Sequence, residues 1–328
     1  MNRLSLGKIP IAVLNSTFLR LTGARSDAVV TPPLAGLDFA ALKVDGKYMV
    51  VSADPVTGVV EGIGRYAISV SANDVATSGN RPQFAESVVL MPEGAEVRYA
   101  EKIARQMDSE ARKIGLSIVG GHTEVTPALH NPIVVVTAFS FVDEYVSSRD
   151  AKEGDTIMMS KTAGLEGTAV LGGQGRFLDA LNVVEEATAG YATGVVHAMH
   201  DCTEGGVLGA AFEMSLASGL GFELEEKRVP VAPETKTLCR ERGIDPLKLI
   251  GSGALLFAVE KGKEPKVSRA LSSICRVSSV GTFTKAGRIL VRRDGTRKTL
   301  RKAPEDELWR ALARSSRGRH RPQTRFLL

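Results

Sequence analysis

Neither a G-x-x-x-x-G-K-[ST] phosphate loop nor a G-x-G-x-x-G turn occurs in the 328 residues, so a P-loop and a dinucleotide-binding fold are excluded. Cysteine is scarce. Cys202, Cys239 and Cys275 form an odd, widely spaced set that fits neither a disulfide framework nor a C-x-x-C zinc site, and they read as reduced thiols. No window approaches the roughly 18 uncharged apolar residues of a membrane-spanning helix. The opening MNRLSLGKIPIAVL breaks its apolar run at Pro10 and lacks a small-residue cleavage site, so a cytoplasmic protein is expected. The formal charge of +5 points toward nucleic acid only until it is located. Most of it lies in Arg314, Arg317, Arg319, Arg321 and Arg325, beyond the last acid, Glu307. With no interleaved aromatics, this end reads as a solvated tail rather than a strand-binding arm.

What is present is an ordinary globular composition, 43% hydrophobic and 24% charged, in a chain long enough for two domains. Residues 47–53 (KYMVVSA) read as a strand ending at Asp54-Pro55, and residues 87–91 as a second strand stopped by Pro92. Between Ala95 and Ile114 apolar residues recur at three- and four-residue steps, an amphipathic helix closed by Gly115. Ser117 to Val119 then enters a glycine loop at residues 120–124, and residues 132–141 form a further strand. Strand, helix, strand in this order is an α/β unit. A polar stretch ending in Lys152-Glu153-Gly154-Asp155 divides the chain into 1–148, 149–312 and a basic tail, 313–328, expected to be disordered. In the second half, residues 156–160 and 255–259 read as strands, residues 205–218 as a small-residue helix, and residues 274–291 as terminal strands.

Acids stand at the ends of these elements: Asp38 in GLDFAAL, Asp54 in SADPVTG, Asn73-Asp74 in SANDVATSGN and Glu124 in GGHTEVTP. Hard oxygen ligands spread over several loops suit Mg²⁺ bridging to substrate phosphates.

Taken in order, DFAAL, VVSADPVTG, GRYAISVSANDVATSGNRPQF, GLSIVGGHTEVTP and HAMHDCTEGGVLGAAFEM resemble the aminoimidazole ribonucleotide (AIR) synthetase-like, or PurM-like, superfamily over roughly residues 7–310. This group includes AIR synthetase, the hydrogenase maturation protein HypE, thiamine-monophosphate kinase and selenophosphate synthetase. The resemblance implies a two-domain α/β (α+β) fold whose N-terminal sheet forms a barrel at a homodimer interface, with ATP between that sheet and a C-terminal α/β layer. It implies Asp38, Asp54 and Asp74, with Glu124, as metal ligands, and Asn73 as a nucleotide contact beside Asp74. It makes Gly120, Gly121 and Thr123 a loop approaching the nucleotide. It also makes Asp201, Thr203, Gly205 and Gly206 an Asp-x-Thr-x-Gly-Gly turn whose helix N-terminus meets an anion.

Three departures stand out. Phe39 replaces a second Asp, His122 stands where relatives carry an acid, and the sequence ends in HRPQTRFLL without the cysteine on which HypE carries its carbamoyl group. His122 and Asp201 are the catalytic candidates, the former as a general acid or base. His197 and His200, three apart, read as a helix end leading into the Asp-x-Thr turn. Lys161 reads as a surface lysine or a phosphate cation, and Cys202 as a thiol beside the anion turn. The expected function is an ATP- and Mg²⁺-dependent enzyme activating an amide or acyl oxygen of a small molecule or protein. A kinase of the thiamine-monophosphate type and a non-catalytic scaffold in metalloenzyme maturation are the alternatives. No membrane partner is expected and nucleic acid is disfavoured.

Overall fold

The computed structural model describes residues 4, 6–57, 61–172 and 175–317. Two sheets organise the chain. The first contains β1 (Ala40–Val44), β2 (Lys47–Val56), β3 (Phe84–Pro92), β4 (Ser117–Thr126) and β5 (Ile133–Val142), in the order β1-β2-β5-β3-β4. The second contains β6 (Thr156–Ser160), β7 (Val196–Asp201), β8 (Gly221–Glu225), β9 (Leu255–Val259), β10 (Val277–Thr284), β11 (Arg288–Val291) and β12 (Arg297–Thr299), in the order β12-β11-β8-β10-β6-β9-β7. The helices are α1 (Ile11–Ser16), α2 (Ile63–Ala76), α3 (Val97–Ile114), α4 (Leu165–Gly172), α5 (Val184–Tyr191), α6 (Gly206–Ser218), α7 (Pro233–Arg242), α8 (Glu264–Ala270) and α9 (Glu307–Arg317).

The alternation of β5 is regular: Val134, Val136, Ala138, Ser140 and Val142 are buried, and the residues between them are at least partly exposed. A period of two places one face against α2, with α3 packed on α2. Of the residues of α2, all but Arg65 and Val70 are buried. α2 thus has almost no solvent side and lies inside the molecule, its buried Ser71, Asn73 and Asp74 being hydrogen-bonded. One apolar core joins the layers, running from Val50, Ile68 and Val136 to Leu255, Phe257 and Val259.

Several expectations are adjusted. β2 continues through Asp54-Pro55 to Val56. Its pairing with β1 ends at Val51, so Pro55 lies where β2 has a free edge on that side and costs little ladder bonding. Residues 120–124 are not a loop but the middle of β4, an edge strand exposed along nearly its whole length and paired in parallel with β3. His197 and His200 lie on β7, not at a helix end. α9 carries the ordered chain to Arg317, past the expected start of the basic tail, and residues 318–328 lie outside the described residues. Among the described residues no helix is long and apolar enough to cross a membrane.

Gly121 owes its identity to the β3–β4 pairing. Its φ is +145° and a Cβ there would lie 1.8 Å from the Ser87 carbonyl oxygen. Gly121→Ala is therefore expected to lower stability by roughly 2 kcal/mol, the size of a strained backbone position. Urea unfolding checks this, and an unchanged midpoint would contradict it.

Candidate active site

Residues far apart in sequence meet where the two sheets face each other. Ser52 and Asp54 are two apart on β2 and so share a face. The Ser52 hydroxyl donates to Asp74 Oδ2 at 2.7 Å and lies 3.4 Å from Asp54 Oδ2. Asp74 is buried in the last turn of α2, where the partial negative charge of the helix end disfavours a carboxylate. From the opposite layer, β7 ends at Asp201, only 1% exposed, and α6 contributes Glu213. Asp38, in the turn before β1, completes the cluster.

The charges are poorly compensated. Burial, then the neighbouring Asp54, Asp201 and Asp38, push the Asp74 carboxyl well above the usual carboxylate range. Burial, then Asp201 and Glu213, do the same to Asp38. Asp201 is pushed up to about 8, by burial first and Asp54 second. Lys8 acts as a cation on Asp38 and Asp201, and its Nζ pairs with Glu213 at 3.0 Å. Burial works against the Glu213 charge, but Lys8 and His200 outweigh it and hold that carboxyl low.

The structure gives other sequence candidates different work. The Asn73 amide donates to the Leu181 carbonyl at 2.8 Å and accepts from the Val183 N–H at 2.9 Å, fully buried, so it staples α2 to the segment before α5. One N–H and the carbonyl oxygen of the amide are thus engaged by backbone, which gives Asn73 a structural part.

The turn of Thr203, Gly205 and Gly206 is filled from within the chain. The Gly205 N–H donates to Asp306 Oδ2 at 2.7 Å, and the Gly206 N–H to the Thr203 carbonyl at 3.0 Å. An anion at this helix start is thus already supplied by Asp306. Burial pushes that carboxyl up to about 6.

Gly120, Gly121, His122, Thr123 and Glu124 lie on β4. Register places Gly121 level with Asp54 through Ser87 and Val136, but three strand spacings away, about 14 Å. Within one chain, Glu124 therefore does not join Asp54 and Asp74, and the exposed His122 pairs with Glu124 at 3.0 Å. Lys161 donates to the carbonyls of Ala180 and Asn182 and pairs with Glu186, so it is neither a surface lysine nor a free cation. Cys202 is fully buried and its thiol is pushed up by burial and then by Asp201 and Asp38, which makes it inert.

Sequence reasoning missed Ser52, Glu213 and Lys8, and set His200 aside. On a strand, residues three apart point to opposite faces. His197 accordingly turns to Asp155, at 2.9 Å, and His200 to Asp38, at 3.1 Å. The alternation of a short strand was the signal available for that separation.

Two sheets with a shared core and acids converging between them define the class: the chain belongs to the AIR synthase related protein family. The N-terminal domain model of that family matches residues 36–142 and the C-terminal domain model residues 152–293. Among its relatives is the carbamoyl dehydratase HypE of Escherichia coli (strain K12), 29% identical over 256 residues, which cover 73% of this chain and 76% of that protein. The fold is shared with a crystal structure of the hydrogenase maturation protein HypE in complex with ATP. The two agree at a TM-score of 0.70 and 22% identity, over 90% of this chain and 95% of that one. Thiamine monophosphate kinase from Aquifex aeolicus has the same fold at a TM-score of 0.66 and 18% identity, over 87% and 97% of the two chains.

The raised carboxyls make metal-free stability depend on pH. Between the unfolded value of Asp201, 3.8, and its folded value, about 8, the folded state keeps a proton that the unfolded state has lost. Stability is then full below the lower value and falls as pH rises through the upper one. Asp38 and Asp74 act in the same direction. Thermal melts in chelator are expected to show a falling midpoint from pH 5 to pH 8.5, and a rising midpoint would contradict the cluster.

Proposed function

We propose that this chain binds Mg-ATP in the cleft between its sheets and uses the γ-phosphoryl group to activate an amide oxygen, as a carbamoyl dehydratase does. The observation carrying this reading is the convergence of Asp38, Asp54, Asp74 and Asp201, with buried oxygens of Asp38 and Asp201 lacking hydrogen-bond partners. Hard oxygens in mutual repulsion fit a Mg²⁺ ion and its phosphates, with Asp54, Asp74 and Asp38 holding it. When bound, Mg²⁺ neutralises charge on the transferring phosphoryl group.

The protein's own part is positioning. Ser52 orients Asp74 and leaves half-buried Asp54 facing the cleft. The apolar core behind α2 fixes both acids to a rigid support. In the overall reaction a carboxamide and ATP yield a nitrile, ADP and phosphate. The amide oxygen departs with the phosphate and the amide nitrogen gives up both protons.

The kinase reading uses the same acids but leaves phosphate on the acceptor, so product analysis separates the two. The scaffold reading predicts neither product. We further propose a homodimer through the outer face of the first sheet. Support comes from exposed Val88 on β3 and Phe141 on β5, which share that face, and from the open edge strand β4.

Asp74→Asn removes an ionisable group whose charge the buried cluster disfavours, while keeping the side chain's shape. The variant is expected to melt at a higher temperature than wild type without ligand, yet to lose Mg-ATP-dependent stabilisation and ADP release by at least about tenfold. Retained turnover would reject the proposal.

A further inference from the structure

His200 is the unexplained member of the cluster. Its Nδ1 lies 2.8 Å from the Asp201 backbone carbonyl, which only accepts, so Nδ1 carries the hydrogen. In the neutral ring Nε2 then presents a lone pair. That nitrogen is buried and has no hydrogen-bond partner. Two acceptors flank it outside hydrogen-bonding geometry, Asp38 Oδ1 at 3.1 Å and Glu213 Oε2 at 3.4 Å. Asp38 Oδ2 and Asp201 Oδ2 are also buried and unpartnered. The side chains of His200 and Asp38 are 3% and 5% exposed, so bulk water does not satisfy these atoms.

One donor atom each from Asp38, His200 and Asp201 lies within 4.8 Å of the other two. The 3.1 Å separation of His200 Nε2 and Asp38 Oδ1 matches the spacing of two neighbouring ligands around one ion, about 3 Å for metal–ligand bonds of about 2.1 Å. Asp38, Asp201 and Glu213 bring three carboxyl groups around this neutral imidazole, with Lys8 as the neighbouring ammonium, a donor set rich in hard oxygens that suits a divalent cation.

We propose that Asp38, His200 and Asp201 form a second cation site, adjoining the Asp54–Asp74 pair and sharing Asp38 with it, that takes a divalent transition ion of the Mn²⁺ or Zn²⁺ kind. An imidazole ligand favours such ions over Mg²⁺, which prefers oxygen and gives up its water reluctantly. The nearly complete burial of the donors demands that loss of water. The Nδ1–H bond to the Asp201 carbonyl orients the ring, as an outer hydrogen bond does for metal-bound histidines. The site lies in the proposed Mg-ATP cleft but fills without nucleotide.

The probe is Mn²⁺ added to the metal-free full chain without nucleotide, followed by pulsed EPR for coupling to an imidazole nitrogen. Wild type is expected to show nitrogen coupling. His200→Gln is expected to lose it and bind Mn²⁺ at least about tenfold more weakly, while His122→Gln, on the remote β4, keeps it. If His200→Gln fails to fold, Co²⁺ absorption of wild type provides the second reading, with a nitrogen-containing ligand field expected. Oxygen-only coordination, a signal that follows His122, or no nucleotide-free binding would overturn the proposal. If any of these occurs while Mg-ATP still binds, only the second site is rejected. Loss of Mg-ATP binding in Asp54→Ala or Asp74→Ala concerns the cleft assignment alone.

Discussion

Repulsion among buried carboxylates is the constraint around which the cleft is built. Asp38, Asp74 and Asp201 are held where burial and one another disfavour their charge, and Lys8 acts as a cation on Asp38 and Asp201. A fold keeps such a group only if something else requires it, because replacing buried charges with apolar side chains is often neutral or stabilising. The apolar core shared between the sheets, with α2 buried inside it, supplies the rigidity that holds the acids in place. In the proposed reading cation and phosphate binding relieves the repulsion, which links binding to folding stability.

The two layers contribute different chemistry. The first sheet and α2 supply Asp54 and Asp74, tied by Ser52 and fixed by packing. The second sheet supplies Asp201 and His200 from the end of β7, with Glu213 from α6. Asn73 joins the layers by hydrogen-bonding to the backbone at Leu181 and Val183. A change in how the layers meet would alter the acid cluster before it altered either sheet.

Much of this was legible in the sequence wherever the signal was local. β6 and β9 fall where short apolar runs between turn residues placed them. α3 ends at a left-handed Gly115, and α6 at a left-handed Gly219. Asp38, Asp54, Asp74 and Glu124 stood out as acids at element ends and Asp201 through the family resemblance; the structure gathers all of these but Glu124. What was hidden depends on distant partners. The Asp-x-Thr-x-Gly-Gly turn looks open until Asp306, about a hundred residues on, is found at the Gly205 N–H. The paired glycines at 120–121 look like a loop, because nothing local shows that Gly121 must pass close to the backbone of Ser87. His200 was misplaced because the six-residue segment VHAMHD is too short for periodicity to separate strand from helix.

The central claim is that the cleft holds protons that a cation and nucleotide must displace. Calorimetric titration of Mg-ATP into the metal-free protein at pH 7, repeated in buffers of different ionisation enthalpy, counts the protons exchanged on binding. The account predicts net proton release, reduced in Asp74→Asn, whose side chain holds no titrating proton. Binding with no proton release in the wild type would contradict it.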